Sequence, residues 1–301
     1  MEWNKKDYET TLTKEKDGVV WIEFKAYQDF PIKHAYSTRL GGVSTGVCAS
    51  MNLRNCEYDT RENYETNMRR FCAAIDVPYE NIVASHQTHT VNVRVVTTED
   101  IPTGTLFGRE FQDVDGLVTN VRNAVLVTSF ADCIPLYLYD PKNHAIGMSH
   151  AGWRGTAGGI GRVTVEAMTA NYDTDPKDII ACIGPGICKD CYEVGMDVYE
   201  EFEKTFVEKP PLQAGEVPQS GGGVRRGASQ GGMEDIFEKK PDGKFLADLW
   251  LANKLILMSA GVPEENIFLT DICTKCNSEY LFSHRAMGNA RGNQCGFLML
   301  E

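Results

Sequence analysis

The sequence predicts a fold that mixes helices and strands along the chain. β-Branched and aromatic residues fill short runs such as residues 18–24, whereas apolar residues recur at helical spacing between residues 59 and 75. The nearly continuous apolar run at residues 124–130 is typical of a strand covered on both faces. With 301 residues, 42% of them hydrophobic, the chain can form a large core in one big domain or two modest ones. We therefore expect a mixed α and β protein with at least one buried strand.

The remaining strands and helices follow from the same two periodicities. Asp59 or Thr60 is the expected cap of the first helix, and Gly261 ends the last one. Segments rich in glycine, proline and asparagine separate the elements. The further predicted strands are residues 34–39, 81–85, 91–96, 113–119 with its entry turn, 134–139, 145–149, 178–183, 266–270 and 297–300. The further predicted helices are residues 156 or 159–171, 196–206 and 248–259.

Residues 208–243 form the one low-complexity segment of the sequence. The segment contains a Pro-Pro pair and a Ser-Gly-Gly-Gly run, a composition typical of a flexible loop. We therefore expect a mobile insertion within a single domain that spans residues 1–301, and not a linker between two domains.

The charge of the chain argues against two classes of partner. A formal net charge of −12 and a pI near 5.1 disfavour binding of nucleic acid or of an anionic membrane over the whole surface. A local basic pocket for an anionic substrate is compatible with this charge. The first residues are polar, without the apolar centre of a signal peptide, and no run approaches the ~18 apolar residues of a membrane span. We therefore expect a cytoplasmic protein with no membrane partner, and we favour a monomer.

Residues 131–156 combine two apolar runs with several reactive side chains. Asp132 and Cys133 precede the first run, and His150 follows the second. The runs predict two strands joined by a turn, and a glycine-rich exit at residues 151–156 leads into the next helix. Strands that end in a thiol and an imidazole are more typical of a site than of a core.

A third predicted strand ends in His86 and His89. Because side chains alternate along an extended strand, we expect only one of the two to face a given site. His89, Cys133 and His150 offer three nitrogen and sulfur ligands, the set that leaves the fourth position of a catalytic zinc open. The metal-free alternative is a nucleophilic Cys133 activated by a neighbouring histidine. The spacing alone leaves both hypotheses open.

Two arginines lie beside glycines, which let a ligand approach the backbone. Arg39 follows a predicted strand, and its alternative is a solvated arginine at a loop edge. Arg154 lies in the glycine-rich exit, where the unpaired amides of a helix start favour an anion such as phosphate. A tight turn that needs glycine for its geometry explains the same exit.

Four of the ten cysteines form two CxxC pairs, Cys188 with Cys191 and Cys273 with Cys276. Four thiolates suit structural zinc, but 81 residues separate the pairs, far more than in a compact zinc ribbon. Without an export signal we expect the thiols to stay reduced. Ordinary buried or loop thiols are therefore the favoured interpretation, and metal binding is the alternative.

Seven strings of the sequence carry a family resemblance. In chain order they are HAYSTRLGGVSTG, SHQTHTVNV, DVDGLVT, ADCIPLYLYDP, SHAGWRGT, IGPGICKDCYEVG and FSHR. Together they closely resemble the laccase-domain family, also described as polyphenol oxidase-like, peptidoglycan editing factor or purine nucleoside phosphorylase proteins, from about His34 to the C-terminus. The resemblance implies an α+β layered sandwich of α/β/β/α type with mixed sheets, related to the catalytic domain of cytotoxic necrotizing factors.

The resemblance implies a zinc-dependent enzyme whose substrates are a purine nucleoside and phosphate. The expected reactions are phosphorolysis of adenosine, inosine and methylthioadenosine, and deamination of adenosine. The family's catalytic metal ligands fall on His89, Cys133 and His150. The candidates for holding phosphate are Arg39, Arg154 and Arg285, the last of which matches the arginine of the family's FSxR string.

Two departures and two alternatives accompany the resemblance. Thr90 replaces a glycine beside the metal ligand, and Arg291 lies in an Ala-Arg-Gly-Asn string where the family often has Thr-Gly-Arg.

One alternative is a copper-dependent phenol oxidase, since a thiolate and two imidazoles also suit copper, although six histidines leave few ligands for several coppers. The other is a non-enzymatic peptidoglycan editing factor, whose effect Cys133→Ala would leave intact. Asp132 is open to three roles: acid or base, orienting residue, or turn residue.

Overall fold

A computed structural model describes residues 2–4, 9–101, 111–208, 232–270 and 272–301 of the chain. Within these ranges the backbone forms fifteen strands and seven α-helices, joined by turns and short 3₁₀ segments. The strands are β1 (Thr11–Lys16), β2 (Val19–Phe24), β3 (Ile32–Ser37), β4 (Ile82–Ala84), β5 (Val93–Val95), β6 (Gly116–Thr119), β7 (Val125–Phe130), β8 (Ile134–Asp140), β9 (Ala145–Ala151), β10 (Ile180–Ile183), β11 (Glu193–Val194), β12 (Phe237–Lys239), β13 (Phe245–Ala247), β14 (Ile267–Leu269) and β15 (Gln294–Leu300). The helices are α1 (Arg61–Ile75), α2 (Trp153–Ala157), α3 (Ile160–Tyr172), α4 (Met196–Glu208), α5 (Met233–Ile236), α6 (Leu249–Ser259) and α7 (His284–Met287).

Two six-stranded mixed sheets form the centre of the fold. The first has the strand order β1-β2-β3-β15-β7-β4, in which β4 and β7 are parallel and all other neighbours antiparallel. The second has the order β14-β10-β8-β9-β6-β5, in which β14 with β10 and β5 with β6 are the parallel pairs. A small antiparallel sheet, β11-β13-β12, packs into the same core as the helices on the second sheet.

The two large sheets share a core of large aromatic side chains. Tyr137 of β8 packs edge-on against Phe24 of β2, with ring centroids 4.8 Å apart. The Tyr27 hydroxyl donates to the backbone oxygens of Tyr137 and Ile180 at 2.8 and 2.9 Å, and the Tyr137 hydroxyl donates to the oxygen of Ala35 at 2.9 Å. These bonds satisfy polar groups that would be costly to bury unpaired, and they connect one sheet to the other.

Helices cover the faces of the sheets that point away from this core. The α1 side chain of Phe71 packs 4.8 Å from the ring of Phe297 in β15, and α2, α3 and α6 pack on the second sheet. The Thr60 hydroxyl caps α1 by accepting a hydrogen bond from the Asn63 amide. The prediction of a mixed α+β fold with mixed sheets is therefore confirmed, while the likeness to cytotoxic necrotizing factors stays a prediction. None of the helices in the described ranges is long and apolar enough to cross a membrane.

Among the elements that differ from the prediction, β1 and α2 do so for clear physical reasons. β1 was not predicted from the sequence. This edge strand pairs with β2 and exposes most of its polar side chains, and its sequence therefore has no apolar run. The glycine-rich exit contains a short helix of its own, α2, which begins at Trp153. Gly159, with φ of +79°, then breaks the chain direction before α3 begins at Ile160.

The predicted insertion at residues 208–243 is divided by the described ranges. Residues 209–231 lie outside them. Residues 233–239 form α5 and β12, so the expectation of an unstructured loop is wrong for this part. The reason is burial: Ile236 is fully buried and Phe237 is 5% exposed, in the core under the small sheet.

We expect acid to destabilise the fold through His34. Burial lowers the pKa of this imidazole from 6.5 to about 4, and its Nε2 accepts a hydrogen bond from the Phe24 amide at 2.9 Å, which requires the neutral ring. The unfolded chain then binds the extra proton between about pH 6.5 and 4, so the free energy of unfolding falls as the pH falls through this window, by the order of 3 kcal/mol. Urea unfolding at pH 7 and at pH 4.5 measures this change in the free energy of unfolding. His34→Gln, whose amide oxygen can still accept, should lose less stability to acid; an equal loss would contradict the prediction.

Candidate metal centre and its cavity

The β8–β9 hairpin brings Cys133 and His150 together. Its register pairs Pro135 with His150 and Ile134 with Ala151 across the two strands. Cys133, one residue before β8, therefore lies beside the end of β9. The contact is local in sequence, which is why the apolar runs and their short turn were sufficient to predict it.

The buried carboxylate of Asp115 orients His150. Gly116, the first residue of β6, pairs with Ser149 of β9, so Asp115 lies opposite His150, and the His150 amide donates to the Asp115 carbonyl at 2.8 Å. The imidazole Nδ1 lies 2.8 Å from Asp115 Oδ1. Because an ionised carboxylate only accepts, Nδ1 carries the proton and Nε2 is left for a ligand.

The same carboxylate holds the loop that carries His89. The backbone amides of Thr88, His89 and Thr90 donate to the Asp115 oxygens at 3.1, 3.1 and 2.8 Å, and the Thr90 hydroxyl donates at 2.9 Å. His89 has a φ of +67°, a left-handed conformation that the surrounding hydrogen bonds stabilise. Thr90, which departs from the family's glycine, thus adds a hydroxyl donor to this carboxylate.

His89, Cys133 and His150 form a group that could hold a metal ion such as zinc. Their ligand atoms all lie within 4.8 Å of one another, with His89 Nε2 3.8 Å from the Cys133 sulfur. Gly152 leaves the space for this group, because a Cβ at that position would lie 2.5 Å from His89 Cδ2 and 3.2 Å from the Cys133 sulfur.

Opposing effects set the charges of this group. Burial alone would raise the pKa of Cys133, but the imidazoles of His150 and His89 outweigh it and lower the pKa to about 6. Burial likewise opposes the charged form of His150, whereas the Cys133 sulfur and the Asp115 carboxylate raise its pKa to about 9. The hydrogen bonds to Asp115 lower its pKa to about 2 against the effect of burial. The thiolate form that a metal requires is therefore available at neutral pH.

The group faces a cavity of about 790 Å³. This volume lies within the usual range for sites that bind small molecules and cofactors. Part of the wall is apolar, from Trp153, Ile187, Tyr192 and Leu249, and part is polar or charged. The polar and charged lining residues include Arg54, Glu57, His86, Gln87, Asp132, His284, Arg285, Asn289, Arg291 and Asn293.

Of the three arginines predicted at the substrate, Arg285 lines this cavity and the other two are not among its lining residues. The Arg39 guanidinium donates to the backbone oxygens of Ala49 and Ser278 at 2.8 and 3.1 Å and lies over the Phe282 ring. Arg154 is exposed, and its guanidinium lies 4.1 Å from the centre of the Trp153 ring.

Arg54 and Arg291 line the cavity but were not predicted at the substrate. Burial, and then the positive charge of Arg54, lower the pKa of Arg291. The Arg291 Nε is buried and has no hydrogen-bond partner within the described parts of the chain. Two cations near each other and an unused donor are features of an anion site. The Ala-Arg-Gly-Asn string was the available signal, although it departs from the family's Thr-Gly-Arg.

Of the three roles that the sequence left open for Asp132, its hydrogen bonds favour orientation of its neighbours. Its Oδ1 accepts from the Thr274 hydroxyl at 2.6 Å, and its Oδ2 accepts from the Arg285 amide at 2.7 Å. Its carbonyl accepts from the Ile187 amide at 2.9 Å. Asp132 therefore fixes the strand end before Cys133 to two neighbouring loops.

Both His86 and His89 line the cavity, whereas only His89 belongs to the three-residue group. β4 ends at Ala84, and the chain beyond it is a loop, so strict alternation no longer applies. Asp115 was missed as a functional residue. The signal was an aspartate directly before the buried Gly-Leu-Val-Thr strand, but its partner His150 belongs to a strand far along the chain.

The separation of the two CxxC pairs along the chain does not keep them apart in space. Cys188, Cys191, Cys273 and Cys276 form a second group whose sulfurs lie within 4.8 Å of one another. This proximity favours the metal-binding alternative over the interpretation as ordinary buried or loop thiols.

Comparison with known proteins agrees with this architecture. The chain is 31% identical over 292 residues to a protein of Bacteroides thetaiotaomicron named purine nucleoside phosphorylase, covering 97% of this chain and 99% of that protein. It is 32% identical over 259 residues to adenosine deaminase RL5 from an unknown prokaryotic organism, covering 84% and 88%. The crystal structure of YlmD from Geobacillus stearothermophilus superposes with a TM-score of 0.81 at 30% identity, covering 96% and 98%.

The matched region contains the candidate metal ligands, Asp115 and the arginines that line the cavity. A family model described as multi-copper polyphenol oxidoreductase laccase matches residues 33–301. With most of its length matched in this way, the chain belongs to the multi-copper polyphenol oxidoreductase laccase family.

Proposed function

We propose that the chain is a cytoplasmic, zinc-dependent purine nucleoside enzyme that phosphorolyses adenosine, inosine and methylthioadenosine and deaminates adenosine. The observation that carries the proposal is one cavity with a three-ligand His/Cys/His group and three arginines. The names of the relatives from Bacteroides thetaiotaomicron and from the unknown prokaryote supply the two reaction types. The proposal treats the chain as a single domain that includes the small sheet β11-β13-β12.

Zinc fits the donor set. Two imidazoles and a thiolate are preferred zinc ligands, and three protein ligands leave a position open for substrate. Asp115 holds a proton on His150 Nδ1, so that Nε2 is the coordinating atom, and its hydrogen bonds to the 88–90 loop hold His89 in place. Bound zinc supplies Lewis-acid activation of an oxygen nucleophile.

The arginines support the phosphate half of the reaction. Phosphorolysis joins a phosphate oxygen to ribose C1′ and breaks the bond from C1′ to purine N9. Arg291 has a buried donor without a partner among the described residues, and Arg54 and Arg285 line the same cavity. A phosphate dianion bound between these guanidiniums would relieve their mutual repulsion and lie near the metal group. The apolar wall with Trp153 and Tyr192 offers flat aromatic faces for the purine.

Deamination uses the same cavity without phosphate. Water adds at purine C6 and ammonia leaves. Both carboxylate oxygens of Asp132 are engaged by Thr274 and by the Arg285 backbone. In this proposal Asp132 therefore has a positioning role at the wall.

A copper-dependent oxidation of phenols is the second candidate, and the donor set is the observation that favours it. A thiolate with two imidazoles suits copper as well as zinc. The metal content of the protein as isolated separates the two candidates, together with oxygen uptake in the presence of a phenol.

We expect the purified protein to release adenine from adenosine only when phosphate is present, and to form inosine with or without it. Chromatography of the products checks both reactions.

Cys133→Ala should lose the zinc of this site and both activities, because two imidazoles alone hold zinc poorly. Cys56→Ala, which removes another partly buried thiol, is the matched control and should keep them. A wild-type protein without zinc that makes neither base nor inosine would disprove the proposal.

Arg291→Gln is expected to raise the KM for phosphate by about tenfold to a hundredfold, the effect of one lost charged hydrogen bond. Adenosine deamination in the absence of phosphate should change little, because it does not use the anion site. Steady-state kinetics of both reactions on one preparation measure the split. Arg154→Gln serves as the control and should leave both reactions unchanged. An unchanged KM for phosphate in Arg291→Gln, or an equal loss in both reactions, would count against the anion site.

Asp115→Asn should weaken zinc binding by about 10- to 100-fold, the usual effect of removing a carboxylate that orients a metal-bound histidine. The amide can accept from the loop but no longer favours the proton on His150 Nδ1. Competition for zinc with a chromogenic chelator measures the affinity. Asp113→Asn, two residues away and exposed, is the matched control. If both variants bind zinc equally well, Asp115 does not orient the ligand.

A further inference from the structure

A second cluster of metal-ligating side chains lies outside the group of His89, Cys133 and His150. The four-cysteine cluster consists of Cys188, Cys191, Cys273 and Cys276. Its two halves are carried by the loops that follow β10 and β14. These strands are parallel neighbours, with Ile183 opposite Leu269, so their loops leave the sheet at the same edge. The parallel pairing explains how pairs that are distant in sequence meet.

The backbone around the cluster is arranged as it is around a metal-bound thiolate. The amides of Cys188 and Cys276 point at the sulfur of Cys273, with distances of 3.3 and 3.5 Å. A bridge between Gly186 and Cys273 continues the pairing of the two loops. Amides directed at sulfur favour the thiolate, the form in which cysteine binds a metal.

The spacing of the sulfurs does not correspond to disulfide bonds. All four thiols are free, and the Cys191 and Cys276 sulfurs are 3.4 Å apart, far from the ~2.05 Å of a covalent bond. Four thiolates this close repel one another unless a cation lies between them. Cys188 and Cys273 are buried, whereas Cys276 is exposed, so an ion can enter from the surface.

We propose that the four-cysteine cluster binds a structural zinc ion. Four cysteine sulfurs from two CxxC pairs complete a tetrahedral shell and leave no open position, which is the arrangement of structural and not catalytic zinc. This site is separate from the three-ligand group, and the proposal does not depend on the proposed function.

The ion would stabilise one wall of the cavity. Ile187 and Tyr192, on either side of the first CxxC pair, line the cavity, and so does Arg285 beyond the second pair. The Arg285 guanidinium donates to the Glu193 carbonyl at 2.9 Å and lies 5.2 Å from the Tyr192 ring. A zinc bridge between the loops therefore holds in register the residues that meet across this wall.

Metal analysis of Cys133→Ala isolates the proposed site, because this variant lacks a ligand of the other group. We expect about one zinc per chain, with an X-ray absorption spectrum of four sulfurs at ~2.3 Å. Cys133→Ala combined with Cys276→Ser should lose the zinc and unfold at a lower temperature. Cys276→His in the same background should retain it, since histidine is also a zinc ligand.

Three results would overturn the proposal. They are a folded Cys133→Ala protein without metal whose four thiols all react with a thiol reagent, a disulfide between Cys191 and Cys276 in the protein as isolated, and iron in place of zinc in the sulfur shell. Cys133→Ala combined with Cys56→Ser controls for the loss of a thiol elsewhere and should keep its zinc. A wild-type protein that lacks nucleoside activity while its sulfur-bound zinc is intact would count against the proposed function and leave this site standing.

Discussion

The buried carboxylate of Asp115 is the constraint on which the rest of the site depends. A fully buried charge is costly unless several donors compensate for it, and here the donors come from the 88–90 loop and from His150. Because the register of β6 against β9 fixes the position of Asp115, these donors have one arrangement that satisfies the charge. The geometry of both histidines is thus a consequence of sheet pairing and of electrostatic compensation.

Close packing restricts the residue types that fit around the His/Cys/His group. Gly152 lies directly under His89 and the Cys133 sulfur, so that even a methyl group at this position would collide with the imidazole. The helix that follows begins at once with Trp153, whose ring forms part of the cavity wall. The sequence suggested that this glycine-rich exit binds phosphate, but in the structure it packs against His89 and Cys133. The arginines that line the cavity and could donate to an anion come from other loops.

How much of this could be read from the sequence depends on the range of each contact. Cys133 and His150 were predictable because one hairpin joins them. His89 was proposed from its residue type and the resemblance; it lies in the three-residue group, although its loop does not follow strand alternation. Asp115, Arg54 and Arg291 were missed because they reach the site through pairings between distant strands and through loops, which local periodicity does not report. The fold class was predictable throughout, since the apolar runs were long; the polar edge strand β1 was not.

The two sulfur-containing groups differ in whether they leave a coordination position open for a further ligand. The His/Cys/His group offers three candidate ligands beside a cavity, so a metal ion held there would keep a fourth position open toward the cavity. The four-cysteine cluster uses its own side chains for every position, so that an ion there meets only protein. Asp132 connects the two, because its carboxylate and carbonyl engage Thr274 and Ile187 beside the cluster, while Cys133 follows it in the chain. Through Asp132, the loops that carry the cluster therefore contact the strand end that leads into Cys133.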